Sequence, residues 1–94
     1  GKKKSLTYFE KAVAEAETDS EKFFSLVFLS QGLFENNRKD ECKAVLAKLD
    51  TIVPNSTYVE FIKKLNEADF SLYYYVVNRE KVEKELNELL DKLL

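Results

Sequence analysis

From Ser5 onward, apolar residues recur three and four positions apart, the spacing that gathers side chains on one face of an α-helix. Leu6, Phe9, Val13 and Ala16 form the first stripe, in a helix expected over 5–17 with Ser5 as its N-cap. Thr18 and Glu21 stand at capping-box spacing and predict a second helix running to Phe34. Phe23, Leu26, Val27, Leu29, Ser30 and Leu33 line its inner faces, while Phe24, Phe28 and Phe34 fall on others. A helix that is apolar around most of its circumference needs neighbours on several sides, which places it at the centre of the domain.

Glu35-Asn36-Asn37 is a polar break, and Asn suits a turn or left-handed conformation. A third helix is expected over 38–52, burying Cys42, Val45, Leu46, Leu49 and Ile52. Pro54 ends it, having no N–H to donate and disfavouring helical geometry in the residue before it. Ser56 or Thr57 caps a fourth helix, with Thr57 and Glu60 again at capping-box spacing. Tyr58, Phe61, Ile62, Leu65, Leu72 and Val76 keep one of its faces apolar as far as Val77. The run 72–77 has a strand-like composition, but the helical spacing continues into it and no second strand exists to pair with. Asn78 is the expected break. The last helix, over 79–93, gathers Val82, Leu86, Leu89, Leu90 and Leu93 on one face. The pattern predicts an all-α domain of about five antiparallel helices joined by short loops.

Ninety-four residues suffice for one domain, and two Gly and one Pro leave few places for sharp turns. A chain that opens on Gly rather than Met looks like a cleavage product. Residues 1–4 are therefore expected to be a disordered tail, 5–94 a single helical domain, and the natural chain to continue upstream. Fifteen basic and seventeen acidic residues nearly cancel, and the only basic run is Lys2-Lys3-Lys4. A nucleic-acid partner is not expected, because phosphate recognition needs a basic stripe. Nor is insertion of this segment into a membrane, which takes roughly 20 consecutive apolar residues. No signal pattern is present, and the compartment stays open.

The chemistry-bearing residues are few. With no His, the usual general base and the commonest metal ligand are both missing. Cys42 cannot form an internal disulfide, and a buried packing role fits it better than a reactive one, which needs a nearby base or cation. The acidic residues lie on polar helix faces beside Lys or Arg, where solvation is their ordinary role. Asn55-Ser56-Thr57 fits a glycosylation sequon but reads better as a helix cap after a proline turn. No catalytic, metal or cofactor site is expected, and hence no enzyme.

One segment carries a family likeness. Leu26-x2-Leu29-Ser30-x2-Leu33, then Cys42-x3-Leu46, Leu49 and Pro54, resembles one tetratricopeptide repeat over about 23–54. Ser30 stands where Gly is usual, Cys42 where Ala is usual, and Leu49 is larger than that family prefers. Phe9, Val13 and Ala16 have the spacing of a preceding repeat's second helix, and Tyr58, Phe61, Ile62 and Leu65 resemble a following repeat's first helix. The resemblance implies a short helical-hairpin array with helix 79–94 as its polar end cap. It also implies an interaction module that holds a protein or peptide on an inner wall of Phe24, Val27, Gln31 and Phe34. The Lys and Asn residues that grip a terminal carboxylate in one subgroup are replaced by Val27 and Gln31, so that ligand is not implied. Two occupants fit an apolar wall: a hydrophobic peptide or helix, or helix 57–77 with its Tyr73-Tyr74-Tyr75, since a small chain needs its large side chains for its own core. The alternative is a structural bundle that forms a homodimer through helix 79–94 or the Tyr-rich segment.

Overall fold

A computed structural model of the chain describes residues 2–67 and 72–93. It contains five helices and, among the described residues, no strand: α1 (Lys2–Glu15), α2 (Asp19–Glu35), α3 (Lys39–Ile52), α4 (Thr57–Glu67) and α5 (Leu72–Leu93). Each helix packs on the next in chain order, and α2 also meets α4 and α5. The all-round apolar helix is thus the one that touches all four others.

The helix boundaries follow from side-chain chemistry. Thr18 Oγ1 accepts from the Glu21 backbone N–H at 3.1 Å, and the Glu21 carboxylate accepts from the Glu17 N–H at 3.3 Å. This is the capping box, displaced by one residue on its return leg. At the far end of α2, Asn37 takes φ 58°, while the Asn37 and Arg38 amides donate to the carbonyls of Phe34 and Leu33. That arrangement is a Schellman stop with Asn in the place Gly usually fills. After Pro54, Asn55 also adopts a positive φ of 61°, and its N–H donates to Asp50 Oδ1. Of the two candidate caps for α4, Ser56 is the one used: it is buried, and its hydroxyl accepts weakly from the Val59 amide at 3.4 Å.

Three boundaries differ from expectation. Lys2, Lys3 and Lys4, expected as a disordered tail, belong to α1, and Ser5 lies inside that helix rather than capping it. The helix propensity of Lys and the anchorage of Leu6, which is 3% exposed, outweigh the unfavourable placement of cations at a helix start. The second difference is the break. The helix expected over 57–77 ends at Glu67, and Leu72–Val77 instead open α5, which passes through Asn78. Asn78 does not interrupt the helix because its Nδ2 bonds back to the Tyr74 carbonyl at 2.9 Å, one turn earlier. The third follows from this: the end helix is 22 residues long, not the short segment 79–94.

The core runs through α1 to α5. Leu6, Phe23, Leu26, Val27, Leu33, Cys42, Leu46, Leu49, Tyr58, Phe61, Ile62, Leu65 and Val82 are all buried. Phe9, Val13, Ile52, Leu86 and Leu89 pack partly buried against them. Val59, not expected inside, is buried as well, whereas Val76, expected on the apolar face, is 61% exposed. The side chains of Leu72, Leu90 and Leu93 lie outside the described residues.

Candidate functional site

Ser30 and Cys42 occupy the two small-residue positions at which α2 and α3 approach, and both are fully buried. The Cys42 thiol donates to the Ser30 carbonyl at 3.4 Å. From α4, the Tyr58 hydroxyl reaches 2.7 Å from Ser30 Oγ and 3.1 Å from the Val27 carbonyl, while Ser30 Oγ donates to that carbonyl at 2.7 Å. Two hydroxyl protons serve three contacts. Either hydroxyl can donate across the Tyr58–Ser30 pair, and each also has the Val27 carbonyl as an acceptor. Burial pushes the Tyr58 phenol well above its ordinary range, only partly opposed by the Ser30 hydrogen bond. Burial alone raises the Cys42 thiol to about 11. Both groups stay neutral at physiological pH, so this polar node joins three helices and has no nucleophile to offer.

The four residues expected to form a binding wall do not make one surface. Val27 is 2% exposed and belongs to the core. Phe24 packs edge-on against Phe23, with ring centroids 5.2 Å apart. Gln31 and Phe34 line a cavity of about 310 Å³, but α5 closes it with Tyr75, Val82 and Leu86, and α4 contributes Phe61 and Leu65. Tyr74 and Tyr75 lie against Phe61 with centroids 5.7 and 5.8 Å away, which holds the start of α5 on α4. Tyr75, Val82 and Leu86 of α5, and not a continuation of α4, thus stand beside Gln31 and Phe34.

Exposure falls instead on the other side of α2. Phe9 and Phe28 stack at 5.8 Å, 21° from parallel, and Tyr8 meets Phe9 edge-on at 5.8 Å. Tyr8 is 70% and Phe28 48% exposed. On one side of the Phe9–Phe28 pair lies a cleft of about 580 Å³ bounded by Ala12, Ser25, Glu15 and Glu21. On the other lies one of about 230 Å³ bounded by Ser5, Gly32 and Glu35. Both share Phe9 and Phe28, so the two clefts meet at the stacked pair along the α1–α2 junction. Gly32 allows the two helices this proximity: a Cβ there would stand 2.9 Å from Leu6 Cδ2. Sequence reasoning placed Phe28 off the main stripe without drawing the consequence, and it passed over Gly32. The signal was available, because Phe28 stands four residues after Phe24 and off the stripe of Phe23, Leu26, Leu29, Ser30 and Leu33.

Among the described residues, Arg38 with Glu41, Lys64 with Glu60, and Arg79 with Glu83 form exposed ion pairs within single helices, an arrangement that contributes little. Among the described residues, Glu85 is the exception to the expectation that acidic side chains lie on solvated faces. It is half-buried, and one oxygen accepts from the Ser56 hydroxyl at 2.6 Å. The carboxylate thereby sits at the start of α4, where the helix dipole favours an anion, and ties α5 to α4. Among the described residues, no group of three or more His, Cys, Asp or Glu could hold a metal ion, and no helix is long and apolar enough to cross a membrane. No family model, curated protein or solved structure matches this chain.

Proposed function

We propose that the chain is a non-enzymatic interaction module of the helical-repeat type that binds a protein or peptide in the groove between α1 and α2. The observation that carries this reading is the exposed Tyr8–Phe9–Phe28 cluster, three contiguous aromatic rings on a chain that buries most of its other large side chains. A patch of this kind marks an interaction surface. The repeat likeness gains support from the meeting of Ser30 and Cys42 at the small-residue positions and from the seating of Tyr58, at the start of the next hairpin, against them. The test is a selection of displayed peptides, both extended and helical, against the full chain. Binders that are lost on Phe28→Glu, with the melting curve unchanged, support the module; the absence of any Phe28-dependent binder contradicts it.

A second reading is self-association through α5. It is favoured by Tyr73, Val76 and Val77, which are exposed one turn apart at 80%, 61% and 49%. Leu86 and Leu89, the expected dimer contacts, pack partly buried against the core instead. A concentration-dependent dimer that Val76→Glu dissolves would establish this reading; a monomer at all concentrations removes it.

A further inference from the structure

The geometry points to one occupant for the α1–α2 groove: a cationic amphipathic α-helix of a partner protein, about four turns long, laid along both helices as a third member. This rests on the interaction-module reading and specifies the partner's chemistry.

Three observations carry it. The groove is lined by two helix faces. Along α2 these residues are Glu21, Ser25, Phe28, Gln31, Gly32 and Glu35. Along α1 they are Ser5, Tyr8, Phe9, Ala12 and Glu15. Two helices packed side by side present a furrow that the side-chain ridges of a third helix can enter. From Glu21 to Glu35 the seam is about 21 Å long at 1.5 Å per residue. The second observation is charge. Glu15 and Glu21 stand at one end and Glu35 at the other, around an aromatic centre, and no Lys or Arg lines either cleft. An apolar stripe flanked by Lys or Arg at both ends complements this; an acidic helix is repelled. The third lies in the same molecule. α4 packs on both α2 and α3, giving that hairpin a third helix, while among the described residues α1 packs on α2 alone. A second copy is a poorer fit, because its exposed stripe of Tyr73, Val76 and Val77 continues at the same spacing into Glu80.

The probes are two stapled 18-residue helices sharing one Leu stripe, the first flanked by Lys and Arg, the second by Glu, with a proline-broken cationic peptide as the extended control. Binding to the full chain is read by fluorescence anisotropy at fixed salt. The cationic helix is expected to bind at least about tenfold more tightly than either control, and to lose that binding on Phe28→Glu. That substitution adds negative charge, so loss of a cationic ligand reports the aromatic contact and not a general attraction. Glu15→Gln and Glu35→Gln, both at exposed positions, should each weaken it several-fold while leaving the melting temperature unchanged. The inference is overturned if the acidic helix binds equally well, if Phe28→Glu leaves cationic binding intact, or if the chain forms a dimer that Phe28→Glu abolishes. Selected peptides that need Phe28 but are extended or acidic would sink this inference and leave the module standing; no Phe28-dependent binder of any form would sink both.

Discussion

The hydroxyls of Ser30 and Tyr58, 28 positions apart in the chain, lie 2.7 Å from one another in the interior and share the Val27 carbonyl. The pair fixes how α4 seats on α2. A buried phenol must find a partner, and Ser30 supplies it at the point where a smaller residue would leave none of that chemistry. Ser30→Ala and Tyr58→Phe are each expected to lower stability by about 1 kcal/mol, because each leaves the remaining hydroxyl with the Val27 carbonyl as acceptor. The double variant should fall short of the sum by about 0.5 kcal/mol or more, the mark of a direct interaction. Ser30→Gly should cost up to about 1 kcal/mol more than Ser30→Ala from helix propensity. Chemical denaturation of these four variants and the unaltered chain measures all of these, and strict additivity would deny the coupling.

Leu46 is 3% exposed within the α3 stripe. Truncation to Ala should cost about 2–5 kcal/mol through lost burial and a residual cavity. A loss under about 0.5 kcal/mol, in the range of ordinary surface substitutions, would place Leu46 outside the core.

Gly32 sits under Leu6. A methyl group there would meet Leu6 Cδ2 at 2.9 Å, yet that atom is the mobile end of a side chain. Gly32→Ala gains about 1 kcal/mol of helix propensity against the displacement of Leu6. The net change in the urea midpoint should correspond to less than about 1 kcal/mol. Gly32→Val cannot be accommodated in this way and should lose about 1–3 kcal/mol by overpacking.

The raised pKa values give stability a direction with pH. Folded Cys42 titrates at about 11 against an ordinary thiol value of 9.0, and Tyr58 is shifted upward as well. A group whose folded pKa lies above its unfolded one contributes fully below the unfolded value and loses that contribution as pH rises. For the thiol the loss begins near 9 and is complete above 11, amounting to at most about 3 kcal/mol. Melting temperature should therefore fall between pH 9 and 11. At pH 8, a thiol reagent such as dithionitrobenzoate should react with Cys42 only after denaturation. Rapid labelling of the folded chain would mean that the thiol is accessible.

Much of this fold is legible in the sequence because periodicity reports burial directly. The inner faces of α2 and α3 follow from the three- and four-residue spacing of Phe23 to Leu33 and of Cys42 to Leu49. The hard point was the junction of α4 and α5. Helical spacing runs from Phe61 through Leu65 to Val76, so periodicity alone cannot register a reversal between them. Asp69 and Ser71, both residue types favoured at helix starts, were the local signal. Asn78 misled because the same amide that caps a helix can bond back to the preceding turn. Val27 and Phe34, expected on one wall, part company for a tertiary reason: Val27 is buried in the core, while Phe34 stands beside α5. The groove at Phe28 lay on the face left over once every other side of α2 was occupied, which spacing within one helix does not reveal.

A partner that enters between α1 and α2, as we propose, moves a different set of residues from one that enters between α2 and α5. The most direct measurement is an amide-correlation NMR titration of the isotopically labelled full chain with the cationic helix. The account predicts concentration-dependent shifts concentrated at Tyr8, Phe9, Ala12, Ser25 and Phe28, with Tyr75, Val82 and Leu86 unmoved. Shifts centred on Phe34, Tyr75 and Leu86, with Phe28 unchanged, would mean that α5 opens to admit the partner and would contradict it.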